Sequence, residues 1–332
     1  MIKKLRNYSL VFTLVFLLAA CTKEQSINEP GNLVPKTVDQ DMSLPAISIN
    51  GTQMHAEAFG PPDSALLIIL HGGPGSDYRY LLNCKSFANQ GFRVIFYDQR
   101  GSGLSKRHPR NSYSVQLMSD DLSAVIAHYR TSLNQKVFLL GHSWGAILAS
   151  IYINQYPTTI SGIVLAEPGG IIWQDIEDYI KRSRTIKFSS ELSNDLLYAD
   201  QFLTGKDTEH AILDYRYSLL QIVEGNKQSP TGDGASLASW RPGAIVNKAL
   251  IDIGEKERPD WTKNLNQYKT KVLFVYSENN KAYGLSHAQK VSSAFPKVQL
   301  LKINGAGHNM ISFPTGWNNF YPPTLNYLNS LK

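Results

Sequence analysis

The chain has 332 residues, 42% hydrophobic and only 18% charged, with a formal net charge of +6. That balance excludes a disordered or collagen-like protein and leaves a globular one with a sizeable core, as one large domain with an insertion or as two. The positive charge does not argue for nucleic acid: residues 1–20 hold three basic and no acidic side chains, and without them the formal charge falls from +6 to +3.

Lys3, Lys4 and Arg6 precede an apolar run from Leu10 to Leu18, too short to span a bilayer comfortably. Leu18-Ala19-Ala20-Cys21 then resembles a bacterial lipobox. The expectation is a lipoprotein-type signal peptide over 1–20, lipidation of Cys21, and a chain exported and anchored to a bacterial membrane at the periplasmic face or cell surface. An ordinary signal peptide ending at small residues, or an uncleaved anchor, is the alternative. Lipidation of Cys21 leaves Cys84 without a partner, so no intrachain disulfide is expected. The polar stretch over 21–44 reads as a flexible tether.

Ala46–Asn50 and Gln53–Phe59 read as short strands joined at Asn50-Gly51, a hairpin signal. Leu66–Leu70 is continuously apolar, which suits a strand buried on both faces, and it runs into His71-Gly72-Gly73-Pro74-Gly75. A helix is expected over Tyr80–Asn89, stopped by Gly91. The strand Arg93–Tyr97 leads into Asp98-Gln99-Arg100-Gly101-Ser102-Gly103. Ser114–Tyr129 has helical periodicity. Val137–Leu140 is the next buried strand, followed by Gly141-His142-Ser143-Trp144-Gly145 and an apolar helix. Ile160–Leu165 is a strand ending at Ala166-Glu167-Pro168.

Strands and helices alternate over this half, the pattern of a mostly parallel sheet covered on both faces, with functional loops at the carboxyl ends of the strands. His71, Asp98, Ser143 and Glu167 all fall there. From 170 to 262 the texture becomes helical, with periods over Asp175–Arg184 and Glu209–Val223 and a Gly/Ser/Pro-rich stretch from Gly225 to Ser239. This predicts a helical cap inserted into a core made of 45–169 and 263–332. The strands Lys271–Tyr276 and Val298–Ile303 then resume, with helices over Ser286–Phe295 and from Gly316, the last interrupted by Pro322-Pro323.

The G-x-S-x-G at 141–145, placed between strand and helix, points to Ser143 as a nucleophile: the tight turn admits only small neighbours and pushes the hydroxyl out at a helix N-terminus. A serine needs a base, and the base needs an orienting group. His308, in the small-residue loop after the last strand, is the base that chain order favours. His142 reads as a packing or supporting residue and His71 as a support for the loop it opens. The Asp98–Arg100 loop reads as structural.

His71-Gly72-Gly73-Pro74-Gly75, Tyr97-Asp98-Gln99-Arg100-Gly101-Ser102-Gly103 and Gly141-His142-Ser143-Trp144-Gly145, in order and spacing, resemble the proline iminopeptidase (prolyl aminopeptidase) family of α/β-hydrolases, over about residues 45–330. The resemblance implies an α/β-hydrolase fold, a mostly parallel eight-stranded sheet with helices on both faces and an inserted helical cap. It implies an oxyanion hole from the backbone N–H groups of Gly73 and Trp144. Gly73 has no side chain to block approach, and Trp144 opens a helix, where N–H groups lack an intrahelical partner.

The chain departs from the family at the acid. Where the family has Gly-x-x-Asp after the strand at 271–277, this sequence has Ser277-Glu278-Asn279-Asn280, so the aspartate position holds Asn280. Glu167 ends the neighbouring strand, and one extra methylene lets it reach the base from there, as some haloalkane dehalogenases of the superfamily place theirs. Glu278, on the expected loop, is the rival, and a protein without a functional acid is the third reading.

Val223-Glu224-Gly225 resembles the family's Trp-Glu-Gly, which makes Glu224 either a ligand for a substrate amine or a solvated helix-end residue. The expected function is a serine aminopeptidase releasing N-terminal residues, proline-type, from short peptides through an acyl-enzyme. A carboxylesterase or amidase on small apolar acyl substrates and an inactive binding lipoprotein are the alternatives. No cofactor or metal is signalled; the expected partners are a small peptide or acyl substrate and, through Cys21, a membrane.

Overall fold

A computed structural model of the chain describes residues 31–183, 207–224, 229–233 and 235–332, with the backbone alone at 220 and 222–224. The expected signal peptide and Cys21 lie outside the described residues. The elements run β1 (Ala46–Ile49), β2 (Thr52–Phe59), β3 (Ala65–Leu70), a 3₁₀ segment (Tyr78–Gln90), β4 (Phe92–Tyr97), α1 (Val115–Tyr129), β5 (Val137–His142), α2 (Trp144–Gln155) and β6 (Gly162–Ala166). Then come α3 (Trp173–Ser183), α4 (Glu209–Glu224), α5 (Ala244–Glu257), β7 (Val272–Ser277), α6 (Gly284–Ser292), β8 (Val298–Ile303) and α7 (Pro314–Leu331).

The eight strands form one sheet in the order β1-β2-β4-β3-β5-β6-β7-β8. The β1–β2 and β2–β4 pairs are antiparallel and every later pair is parallel. The antiparallel start follows from the turn: Asn50 and Gly51 have φ of 43° and 71°, the two positive values of a type I′ two-residue hairpin. The continuous apolar runs are explained by burial on both faces. Leu66, Ile68 and Leu70 of β3 pack into one cluster with Ile95 and Leu139, while Leu67 and Ile69 face a second with Phe96 and Leu140. Burying each such side chain stabilises by about 1.5–3 kcal/mol.

The helix expected over 80–89 spans Tyr78–Gln90 and is 3₁₀-type; the Asp77 side chain caps its start by accepting from Arg79 N, and Gly91, with φ 74°, ends it. Two local expectations are corrected. Pro322 and Pro323 sit inside α7 without ending it, because Trp317 and Tyr321 pack on Phe87 and Phe320 is buried beneath them. The tether does not extend to residue 44. Thr37 and Val38 are buried, Val38 N donates to Leu104 O at 2.8 Å, and Arg241 Nη1 donates to Pro35 O at 2.8 Å.

The helical segment leaves and rejoins the core at one point. Trp173 N donates to Pro259 O and Trp261 N to Ile171 O, at 2.8 and 3.1 Å, so its two ends pair with each other. Asp214 of α4 fixes it to the core: its buried carboxylate accepts from Arg107 Nε at 3.0 Å, Arg241 Nε at 2.7 Å and Ala244 N at 2.9 Å. The helix α5 was not distinguished as a separate period in the sequence.

Candidate active site

The turn at Ser143 is held by steric necessity on both sides. A Cβ on Gly141 would lie 2.3 Å from Gly145 O, and one on Gly145 would lie 2.1 Å from Leu70 O. Between them Ser143 adopts φ 55°, ψ −120°, a conformation of order 1–3 kcal/mol above the usual wells. Its N–H donates to Ala166 O at 2.8 Å, which continues the β5–β6 ladder past the last β5 residue. Glu167 repeats the device one strand over. It has φ 46°, and its N–H donates to Val275 O at 3.0 Å. Two non-glycine residues with positive φ thus end adjacent parallel strands; Glu167 reaches His308, and Ser143 lines the cavity that His308 also lines.

Glu167 is fully buried and its carboxylate is saturated. Oε1 accepts from Ser277 N at 2.7 Å and Ser277 Oγ at 2.6 Å; Oε2 accepts from Asn280 Nδ2 at 2.8 Å and His308 Nδ1 at 2.6 Å. A carboxylate so engaged only accepts, so the His308 proton sits on Nδ1 and the Nε2 lone pair is free. Burial alone would push the His308 pKa down; the hydrogen bond and charge of Glu167, with the charge of Asp233, hold it above the ordinary histidine value. Tyr179 Oη stands 3.2 Å from His308 Nδ1 and accepts from Asn280 Nδ2 at 3.2 Å. Burial, then the Glu167 charge, keep that phenol protonated.

Glu278 is elsewhere. It is surface-exposed, with its carboxylate taken by Lys302 Nζ and Gly305 N, both at 2.9 Å. Asn280, at the position where the acid was missing, is fully buried and serves Glu167 as a donor. Glu224 ends α4, and its side chain lies outside the described residues.

Ser143, His308, Gly73 and Trp144 all line one cavity of about 570 Å³. The loop holding Gly73 is built by His71 and Gln99. Gln99 N donates to His71 Nε2 at 2.9 Å, which places the imidazole proton on Nδ1, and Nδ1–H donates to Gly72 O at 2.9 Å. Gln99 Nε2 donates to His71 O at 2.9 Å and Gln99 Oε1 accepts from Trp144 Nε1 at 2.9 Å, so one side chain ties the Gly73 loop to the start of α2. Burial lowers the pKa of His71, in keeping with a neutral ring.

The remaining conspicuous residues are structural. Asp98 is buried and holds His55 Nδ1 at 2.8 Å, Tyr78 N and Leu104 N. Arg100 grips Asp121 through two 2.7 Å bonds.

The cavity walls are mostly apolar, with Ile147, Trp173, Ile176, Leu250 and Trp261 among them. Two buried carboxylates face it. Asp77 is fully occupied by Ser239 Oγ, Trp240 N, Arg241 N and Arg79 N, and burial followed by the Asp98 charge pushes its pKa up to about 6. Asp233 accepts from Asn309 N at 2.8 Å through Oδ1 and lies near enough to His308 to raise its pKa. Its own pKa is raised by burial, against the opposing charge of His308. Sequence reading missed Asp233 because it sits in the Gly/Ser/Pro-rich stretch; a lone acid flanked by glycines there was the available signal.

A family model for the alpha/beta hydrolase fold matches residues 65–314. Proline iminopeptidase PfmaB of Pestalotiopsis fici is 25% identical over 277 residues, 80% of this chain and 92% of that protein. A proline iminopeptidase of Thermoplasma volcanium is 34% identical over 109 residues, covering 33% of this chain and 36% of its own length. Among solved structures, a proline iminopeptidase of Mycobacterium smegmatis shares the fold with a TM-score of 0.55 and 18% identity, over 86% of this chain and 99% of that one.

Proposed function

The chain belongs to the α/β-hydrolase fold family, and on that premise we propose that it is a serine hydrolase with Ser143 as nucleophile, His308 as base and Glu167 as the orienting acid. The observation that carries this reading is the 2.6 Å contact between His308 Nδ1 and the saturated Glu167 carboxylate, opening on the cavity that Ser143 lines. His308 Nε2 takes the Ser143 Oγ proton as Oγ attacks the substrate carbonyl carbon. The imidazolium is stabilised by Glu167 through Nδ1–H, and the tetrahedral oxyanion by the N–H groups of Gly73 and Trp144, each worth about 3 kcal/mol in the transition state. Collapse expels the leaving amine or alcohol with the proton from His308, and water releases the acyl group by the same steps.

The reaction we assign is release of an N-terminal residue, proline-type, from short peptides. Similarity to the proline iminopeptidases supports it, and so does Asp233: a cationic amine entering an apolar cavity needs a carboxylate, and this one is buried on the cavity wall. Glu224 remains the second candidate for the amine. The apolar walls equally suit a neutral acyl ester, so esterase activity is the competing reading. We further propose export and lipid anchoring through Cys21, on the strength of Leu18–Cys21.

Labelling by a fluorophosphonate, lost in Ser143→Ala, tests the nucleophile and excludes an inactive binding protein. A panel of aminoacyl anilides, prolyl first, against acyl esters tests the reaction: strong ester turnover with no aminoacyl release rejects the aminopeptidase assignment. Mass spectrometry of the membrane-extracted protein tests acylation at Cys21.

A further inference from the structure

A run of hydrogen bonds, two buried and the last part-buried, connects the Gly73 loop to the backbone of His308 without passing through Ser143, Glu167 or His71. Gly72 N donates to Tyr80 Oη at 2.7 Å. Tyr80 Oη and His142 Nδ1 are 2.8 Å apart, and His142 Nε2 is 2.8 Å from His308 O. A carbonyl only accepts, so Nε2 carries the His142 proton and Nδ1 is left to accept from the Tyr80 hydroxyl. Every donor therefore points the same way, from Gly72 through Tyr80 and His142 to His308, and bonds aligned in this manner polarise one another.

The run stays neutral. Burial, then the nearby positive charge that His308 can carry, hold the His142 pKa well below the ordinary value, and burial raises that of the Tyr80 phenol. The His142 ring also packs on that of His308, with centroids 4.6 Å apart. Its position in the chain matters: it immediately precedes Ser143, so the turn that exposes the serine also places this imidazole between the two loops.

We propose that Tyr80 and His142 are positioning residues that act as one unit, a neutral strut fixing the distance between the Gly73 oxyanion donor and the His308 base. This rests on the serine-hydrolase reading above. Both side chains border the cavity, but their hydrogen bonds go to Gly72 N, to each other and to the His308 carbonyl, none to Ser143 or Glu167. The effect of the strut is on where the base and the oxyanion donor stand when Ser143 attacks, a placement in which an ångström costs up to about a hundredfold in rate.

The test is a double-mutant cycle on the full chain with Tyr80→Phe, His142→Phe and the double variant, measured with whichever anilide or ester the wild type turns over. Each single variant is expected to lower kcat by about ten- to a hundredfold with KM within about twofold. The double variant is expected to be no slower than the worse single, because a strut already broken cannot be broken again. His142→Gln, whose amide can still donate to His308 O, is expected to recover part of the loss. Losses that multiply in the double variant, no recovery in His142→Gln, or a change confined to KM would overturn the proposal. Melting curves identify any variant that fails to fold; if His142→Phe does, His142→Leu, which likewise lacks a donor, takes its place in the cycle. Fluorophosphonate labelling of wild-type Ser143 is scored separately: its absence sinks the hydrolase reading, whereas normal labelling with multiplicative losses sinks the strut alone.

Discussion

The side-chain amide of Asn280 donates to the Glu167 carboxylate at 2.8 Å, and the same Oε2 accepts from His308 Nδ1 at 2.6 Å. The residue at the position where the proline iminopeptidase resemblance implies an acid is thus a donor to the proposed acid one strand away. Asparagine at 280 suits Glu167: an aspartate there would set a second carboxylate against it in a fully buried place, where like charges cannot both ionise cheaply.

The first prediction follows directly. Glu167→Gln is expected to cost about ten-thousand-fold in kcat, as amide substitution of the acid does elsewhere, because an amide cannot stabilise the imidazolium. Glu278→Gln is expected to change kcat by less than about twofold, since its carboxylate serves Lys302 and Gly305 at the surface. Asn280→Asp alone is expected to lower both stability and turnover. Combined with Glu167→Gln it is expected to recover at least about tenfold over Glu167→Gln, because the acid then stands on the neighbouring strand end with an amide to donate to it. Steady-state kinetics on the four variants settles the matter; near-wild-type turnover by Glu167→Gln removes Glu167 from the reaction.

How much of this arrangement could be read in the sequence is set by how local its causes are. Ser143 and Glu167 were legible because each ends an apolar run of strand length, and parallel strands put their carboxyl ends side by side. Asn280 was legible as a loss and not as a donor, because its bond to Glu167 spans 113 positions and depends on the β6–β7 register. Tyr80 and His142 carried no motif that pairs them. Asp233 reaches His308 through the fold of the 229–233 segment, where His308 N donates to Thr231 O, and no periodicity announces such a contact.

A second prediction concerns pH. His308 must be neutral to accept the Ser143 proton, and its pKa is raised by Glu167 and Asp233 in spite of burial. Activity is therefore expected to fall as pH drops through a value above 6.5, the ordinary histidine figure, and the acid limb of kcat/KM reports it. Removing the Asp233 charge by Asp233→Asn moves that limb to lower pH. The stability linkage has the matching sign. A histidine whose folded pKa exceeds its unfolded one stabilises fully below the unfolded value and loses that contribution as pH rises through the folded value. Denaturant midpoints from pH 5 to 9 read this as a decline that Glu167→Gln abolishes.

A third prediction tests the turn. A methyl on Gly145 would sit 2.1 Å from Leu70 O, a backbone atom of a central strand that cannot step aside. Gly145→Ala is expected to destabilise by about 1–3 kcal/mol, the usual cost of overpacking, and to lose fluorophosphonate labelling because α2 and Ser143 must shift together. Gly51→Ala is the control: nothing lies within 4 Å of its added methyl, so it costs only the positive φ of 71° and leaves labelling intact. Equal labelling of both variants would show that the elbow tolerates displacement and that its glycines matter for folding alone.

The last prediction separates the two substrate readings at Asp233. Asparagine there keeps an oxygen for Asn309 N, which now bonds Oδ1 at 2.8 Å, and removes only the charge. If the carboxylate receives a substrate amine, Asp233→Asn raises KM for aminoacyl anilides by about tenfold, the worth of one charge-assisted hydrogen bond, while KM for neutral acyl esters stays within about twofold. The ester series, measured at the same pH, corrects for the His308 shift, which acts on both substrate classes alike. An equal rise for both substrate classes assigns Asp233 to shaping the His308 loop. A selective rise assigns it to the amine, and the same measurement on Glu224→Gln then shows whether the end of α4 shares the task.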